Sequence, residues 1–252
     1  MVTYIFLAVG VAALIAFCVV RDKKSSAMAI GFKSLASIAI IAMAIAAVLS
    51  RESTVGVLTP ALLILGGLVC GLVGDITLDF KIFLKGLPYD RADKDADVMT
   101  YVGMAAFGVG HVLYITAGGL RFADTSINLA WSLLVAVGLV AVIFALSIGV
   151  MKMRFGKFLL PSVCYALLLA WFVVYSIWQM AAVGTGVANV LLLVGAILFI
   201  VSDLILSMTY FSKPEDYRRT GALHPESKLM IVSNHVTYYA AQFLIALAIL
   251  YL

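Results

Sequence analysis

Apolar runs about as long as the core of a bilayer alternate along the chain with short polar connectors. A helical span needs about 20 apolar residues. Eight segments meet that pattern: 2–20, 33–50, 57–79, 98–118, 127–150, 158–180, 186–211 and 229–252. The connectors leave no room for a soluble domain, so the pattern predicts an all-α integral membrane bundle of eight transmembrane helices, one domain over 1–252. Two runs depart from the pattern in the same way. LVCGLVGDITLDF, residues 68–80, sets Asp75 and Asp79 where hydrocarbon is expected, and LFIVSDLILSMTYF, residues 198–211, does so with Asp203.

Composition strengthens the membrane reading. Hydrophobic residues make up 64% and charged residues 12%, against about 25% charged in a soluble domain, and the mean hydropathy is +1.14. No Lys or Arg precedes the first run, whereas Arg21, Lys23 and Lys24 follow it, so it reads as a true span and not a signal peptide. Basic loops stay in the cytoplasm. Arg21, Lys23, Lys24 and Lys33 flank the first connector, Lys81, Lys85, Arg91 and Lys94 the third, Lys152, Arg154 and Lys157 the fifth, and Lys213, Arg218, Arg219 and Lys228 the seventh. Only Arg51 and Arg121 fall on the other side, which predicts a cell-membrane protein with both termini extracytoplasmic. The net charge of +4 is then a signal of topology, and no nucleic-acid partner is implied. Cys18, Cys70 and Cys164 lie within spans without C-x-x-C spacing and read as packing residues.

An offset of 128 residues aligns Gly67 with Gly195, Gly74 with Ser202, Asp75 with Asp203 and Leu78 with Leu206. The shared pattern, G-x6-[GS]-D-x2-L, points to two four-helix repeats, 1–125 and 126–252, entering the membrane the same way round. The same offset pairs Lys33 with Pro161 and Ser37 with Tyr165, which are chemically unlike. Asp75 precedes Lys81 by six residues and Asp203 precedes Lys213 by ten, which puts both about 9–15 Å inside the basic boundary. The antiparallel neighbours bring His111, Tyr114, Tyr165, His235, Tyr238, Tyr239 and Gln242 into the same layer. Phe107, His111 and Tyr114 share one helix face, as do His235, Tyr238, Tyr239 and Gln242.

These segments carry a family resemblance. GLVCGLVGDITL, FGVGHVLYI, PSVCYALLLAW, GAILFIVSDLILS and YYAAQFLIAL come in the order and spacing of the YhhN-type lysoplasmalogenase family, eight-span membrane proteins, and the chain resembles that family from about Lys33 to its C-terminus. The resemblance implies hydrolysis of the vinyl-ether bond of lysoplasmalogens to a fatty aldehyde and a glycerophospho-ethanolamine or -choline. It also implies catalytic roles for Asp75 and Asp203. Asp79 departs from the family pattern, where an apolar residue is usual, and is not assigned the same role.

The chemistry fits two acids. Protonation of a vinyl ether at its β-carbon gives an oxocarbenium ion that water captures, so the site needs a proton donor and a negative charge near the cation. Two carboxyls in a low-dielectric pocket can divide those tasks, as glycosidases do for a related cation. Which acid donates is open. His111, Tyr114, Tyr165, Tyr238, Tyr239 and Gln242 are candidates to line the substrate, although helix bridging, interface belts and packing use the same residue types. Lys33 is a candidate for the lipid phosphate, or a snorkelling side chain. The expected partners are a lysophospholipid, water and membrane lipids, with no organic cofactor and no metal. Oligomeric state is not legible.

The polar residues also admit other readings. The loop YDRADKDAD, with Asp90, Asp93, Asp95 and Asp97, lacks the glycine and terminal glutamate of an EF-hand and reads as a solvated loop whose last acids cap the fourth span. A zinc-dependent lipid hydrolase would draw on His111, His235, Asp203 and Ser202, but the chain has three histidines and no H-E-x-x-H spacing. A proton-coupled carrier would use the same acids. It would also need polar groups along a route to both surfaces, and the outer halves of the spans are almost uniformly apolar.

Overall fold

The structure, a computed structural model, describes residues 2–21, 26–50, 56–122, 129–213, 215–218, 221–222 and 224–252. Lys23, Lys24, Arg51 and Arg219 of the charge pattern lie outside the described residues. Eight long helices and no strand are present among the described residues: α1 Val2–Val20, α2 Ala27–Leu49, α3 Leu58–Lys85, α4 Ala92–Arg121, α5 Leu129–Phe144, α6 Leu159–Val183, α7 Val187–Phe211 and α8 Lys228–Ala248. Seven are long and apolar enough to cross a membrane, α5 being extended by Ala145–Val150 and α6 by Gly156–Phe158. The chain is thus a multi-pass, all-helical membrane protein. The eighth helix falls outside that group because Ser233, Asn234, His235, Thr237 and Gln242 interrupt its apolar run.

The helices differ from the predicted spans mainly at the ends that adjoin the basic connectors. α2 starts at Ala27, where the Ser26 hydroxyl accepts the Ala29 N–H at 3.1 Å, so Lys33 lies in the second turn and not at the boundary. α3 continues to Lys85 and α4 begins at Ala92, which shortens the acidic loop. Asp93 and Asp95 stand in the first turn of α4 and Lys85 in the last turn of α3, each of the sign that the helix dipole favours. Asp95 also accepts from the Tyr89 hydroxyl at 3.1 Å. α5 ends by widening into a π-type segment, Ala145–Val150.

The chain divides into two compact units, Met1–Arg121 with Ile245–Leu252, and Phe122–Leu244. In the first, α3 and α4 pack along most of their length, α2 lies against both α1 and α3, and the C-terminal turn Ile249–Tyr251 packs on α2. Glycines allow the close approach of α3 to α4. A Cβ on Gly67 would overlap the Tyr114 ring, one on Gly74 the Phe107 ring, and one on Gly110 would come within 3.0 Å of the Gly67 carbonyl. The interior face of α2 runs through Ala29, Lys33, Ala36, Ser37, Ile40, Met43, Ala44 and Ala47, so Lys33 and Ser37 occupy core positions by helical spacing.

In the second unit, α5 and α6 enclose Ala136, Val140, Ala170 and Val174, and the Trp171 indole N–H donates to the Ser132 hydroxyl at 2.9 Å. Phe211 at the end of α7 stacks on Phe155 with ring centroids 4.5 Å apart, and its carbonyl accepts the Arg154 N–H at 2.8 Å. The three cysteines are free thiols. Cys18 and Cys70 are half-buried, but Cys164, predicted to pack, is exposed.

Candidate functional site

In the first unit, Asp75 and Asp79 are four residues apart on α3 and share its interior face. The other buried residues of α3 are apolar or glycine except Lys81 near its end, and both acids are 2% exposed. Lys33 of α2 lies between them, its Nζ 3.4 Å from Asp75 Oδ1 and 3.6 Å from Asp79 Oδ2. Ser37, one turn further along α2, donates its hydroxyl to Asp75 Oδ2 at 2.7 Å. Arg21, just past α1, brings Nε to 3.8 Å from Asp79 Oδ1. Among the described residues these contacts gather two carboxylates and two cations into one buried set.

The ammonium expected at the boundary to meet a lipid phosphate is therefore turned inward, because Lys33 occupies a core position of α2 and two carboxylates attract it. Asp79, set apart in the sequence as a departure, shares that lysine with Asp75. Arg21, read from sequence as a topological charge, belongs to the same set.

On α4, His111 and Tyr114 are buried on the face that meets α3. The His111 Nδ1–H donates to the Phe107 carbonyl at 2.8 Å, and the His111 ring meets Tyr114 edge-on with centroids 5.7 Å apart. Since a carbonyl only accepts, this bond leaves Nε2 as the acceptor nitrogen of the neutral ring.

In the second unit, the Tyr165 hydroxyl on α6 donates to Asp203 Oδ2 on α7 at 2.5 Å. Asp203 is half-buried, and among the described residues no Lys, Arg or His stands within ion-pair distance of it. Ser202 beside it is clamped to α8. The Asn234 amide donates to the Ser202 carbonyl at 2.8 Å and to its hydroxyl at 3.0 Å, and the Ser202 hydroxyl donates to the Asn234 carbonyl at 3.1 Å. Further along α8, the His235 Nδ1–H donates to the Ile231 carbonyl at 2.7 Å, and the Gln242 amide donates to the Tyr238 hydroxyl at 2.9 Å. Tyr238 meets Phe199 and Tyr239 edge-on, and Tyr239 is fully enclosed.

The two aspartates are thus supported in parallel ways. Each accepts a hydroxyl from the preceding long helix, Ser37 for Asp75 and Tyr165 for Asp203, and in both cases donor and acceptor are 38 residues apart. The 128-residue offset aligned these donors, yet serine and tyrosine looked unlike. Their common feature is the O–H that each presents. The support differs in charge: among the described residues Asp75 has a cation beside it and Asp203 does not.

Among the described residues no group of three or more His, Cys, Asp and Glu is gathered to hold a metal ion. Ser202, one of the ligands a zinc site would have drawn on, is committed to Asn234. A model of the YhhN family matches residues 28–249, most of the chain. Comparison with curated proteins and with solved structures returns no match.

Proposed function

The chain belongs to the YhhN family, and from that premise we propose that it hydrolyses the vinyl-ether bond of lysoplasmalogens, releasing a fatty aldehyde and a glycerophospho-ethanolamine or -choline. The family includes lysoplasmalogenases. The observation that carries the reading is the pair of aspartates set in apolar helices, each held by a hydroxyl at the same 38-residue spacing. A charged aspartate at the centre of a spanning helix costs about 2.5–3.5 kcal/mol to insert. A hydrogen bond between membrane helices returns only about 0.6–2 kcal/mol. Packing alone does not account for two such residues, whereas acid chemistry requires them.

The reaction balances with carboxyl groups and water. A carboxylic acid gives its proton to the β-carbon of the C=C bond, whose π electrons form the new C–H bond, and positive charge appears on the adjacent carbon and ether oxygen. Water adds to that carbon and returns a proton to the carboxylate, and the resulting hemiacetal collapses to aldehyde and alcohol. A placed acid contributes about 10²–10⁴-fold. A fixed negative charge contributes by stabilising the cation. Asp75 and Asp203 take these roles. His111, Tyr114, Tyr165, Tyr238, Tyr239 and Gln242 are assigned to lining the substrate or its water. The lipid headgroup is assigned to the basic, cytoplasmic side, with the alkenyl chain among apolar residues.

The test uses purified protein in detergent micelles with a lysoplasmenylethanolamine, following aldehyde through a coupled dehydrogenase. Turnover is expected in the wild type and in the presence of a chelator, with a loss of at least 100-fold in Asp75→Asn and in Asp203→Asn. Full turnover in both variants removes the two acids from the chemistry. Loss on chelation alone transfers the reading to a metal hydrolase.

A further inference from the structure

We propose that the two aspartates are not interchangeable: Asp203 carries the transferable proton, and Asp75 is a standing carboxylate whose charge is held by Lys33, Arg21 and Asp79. The catalytic half of this assignment rests on the lysoplasmalogen reading; the protonation states do not.

Charge count in the first unit comes first. Lys33 alone between two carboxylates would leave one negative charge over, and a shared proton would be the simplest way to remove it. Arg21 removes it instead. With Nε 3.8 Å from Asp79 Oδ1, it supplies a second cation beside the pair. Taking the negative charge off Asp75 would leave the buried Lys33 ammonium short of a counter-charge. Ser37 completes Asp75 by donating into Oδ2, the oxygen that the Lys33 ion pair does not use. An acid so enclosed, 2% exposed and neutralised by its neighbours, is poorly built to hand a proton to a lipid carbon.

Asp203 has the opposite surroundings. Its partner is a phenol, and among the described residues no basic side chain lies within ion-pair distance, so a negative charge there would stand uncompensated. The neighbouring polar groups do not supply compensation, since Ser202 and Asn234 bond to each other. The Tyr165 hydroxyl donates to Oδ2, which makes Oδ2 the acceptor and leaves Oδ1 to bear the acid proton. Asp203 also retains exposed surface that Asp75 lacks. In the reaction, the Oδ1–H bond breaks as the β-carbon takes the proton. Oδ1 regains a proton from the water that adds, while Asp75 neither gains nor loses one. Asp75, Lys33, Asp79 and Arg21 then form a positioning set for fixed charge, and Asp79 does in this chain what an apolar residue cannot.

Infrared difference spectroscopy of the full-length protein at neutral pH reads the protonated carboxyl directly through its C=O stretch. The wild type is expected to show one such band. Asp203→Asn should abolish it, Asp203→Glu should retain it at a shifted frequency, and Asp75→Asn should leave it in place. Lys33→Met should add a second band, because Asp75 and Asp79 are then left with Arg21 as the remaining one of their two described cation partners. A band that survives Asp203→Asn, or that vanishes in Asp75→Asn, overturns the assignment, and Asp203→Glu keeps the test decisive should Lys33→Met fail to fold. Aldehyde assays on the same samples separate the two readings. Bands as expected in a wild type that releases no aldehyde would leave the proton assignment standing and sink the lipid substrate. Turnover with the proton on Asp75 would do the reverse.

Discussion

Lys33 and Arg21 give the two acids on one face of α3 their counter-charges, and single substitutions among the four should reveal how tightly the set is coupled. Removing one member of a buried charge set leaves another uncompensated, at a cost of about 3–5 kcal/mol. Asp79→Leu is therefore expected to lower thermal stability by that order, although leucine restores the apolar character usual in the family. Arg21→Met made together with Asp79→Leu should recover much of the loss, and a double-mutant cycle on unfolding midpoints measures the recovery. Additive effects of the two changes would mean that the 3.8 Å approach of Arg21 carries no coupling. At the other acid, Tyr165→Phe removes the hydroxyl that donates to Asp203. One hydrogen bond of this kind contributes about 0.5–1.5 kcal/mol to stability, so the unfolding midpoint is expected to fall modestly, and aldehyde release to fall about tenfold through loss of the placement of Asp203. Unchanged turnover would detach Tyr165 from the reaction.

At the level of elements, the position of His111 and Tyr114 is set by how closely α4 lies on α3, and that depends on glycine. The Tyr114 ring occupies the space beside Gly67 and the Phe107 ring the space beside Gly74. Gly67→Ala and Gly74→Ala should each destabilise the protein by about 1–3 kcal/mol through overpacking. Gly31→Ala and Gly138→Ala meet nothing within 4 Å and stand within helices, so they should be neutral or stabilise by up to about 1 kcal/mol. Thermal unfolding in one detergent compares all four. Equal effects in the two pairs would show that the α3–α4 contact is loose. In the second unit the Ser202–Asn234 clamp does comparable work with hydrogen bonds. Asn234→Ala leaves Ser202 buried with two of its bonds missing and should cost about 1–3 kcal/mol.

For the whole molecule, the distribution of charge predicts a topology that can be tested. Basic residues at Lys81, Lys85, Arg91 and Lys94, and again at Lys152, Arg154 and Lys157, predict those connectors to be cytoplasmic by the positive-inside rule. Thiol labelling of single cysteines, introduced into a cysteine-free background at positions 90 and 153 and at the C-terminus, is expected to protect the first two and to label the third from outside the cell. The reverse pattern would invert the protein and move the proposed headgroup side with it. The parallel support of Asp75 and Asp203 favours two repeats of one four-helix plan. On that reading the copies have kept the hydroxyl-to-acid bond and diverged in charge, Asp75 alone of the two having a cation beside it among the described residues.

The number and order of the long helices, and the anomalous aspartates, were legible in the chain, because hydropathy accumulates over about 20 residues and needs no knowledge of neighbours. Helical spacing likewise showed which residues share a face. It could not show which face meets which. That Lys33 bridges Asp75 and Asp79, that Arg21 closes the charge set, and that Ser37 and Tyr165 do the same task depends on contacts between helices separated by tens of residues. Those contacts arise from close packing of small residues and from the need of each buried charge for a partner, and only the folded chain brings the partners within reach.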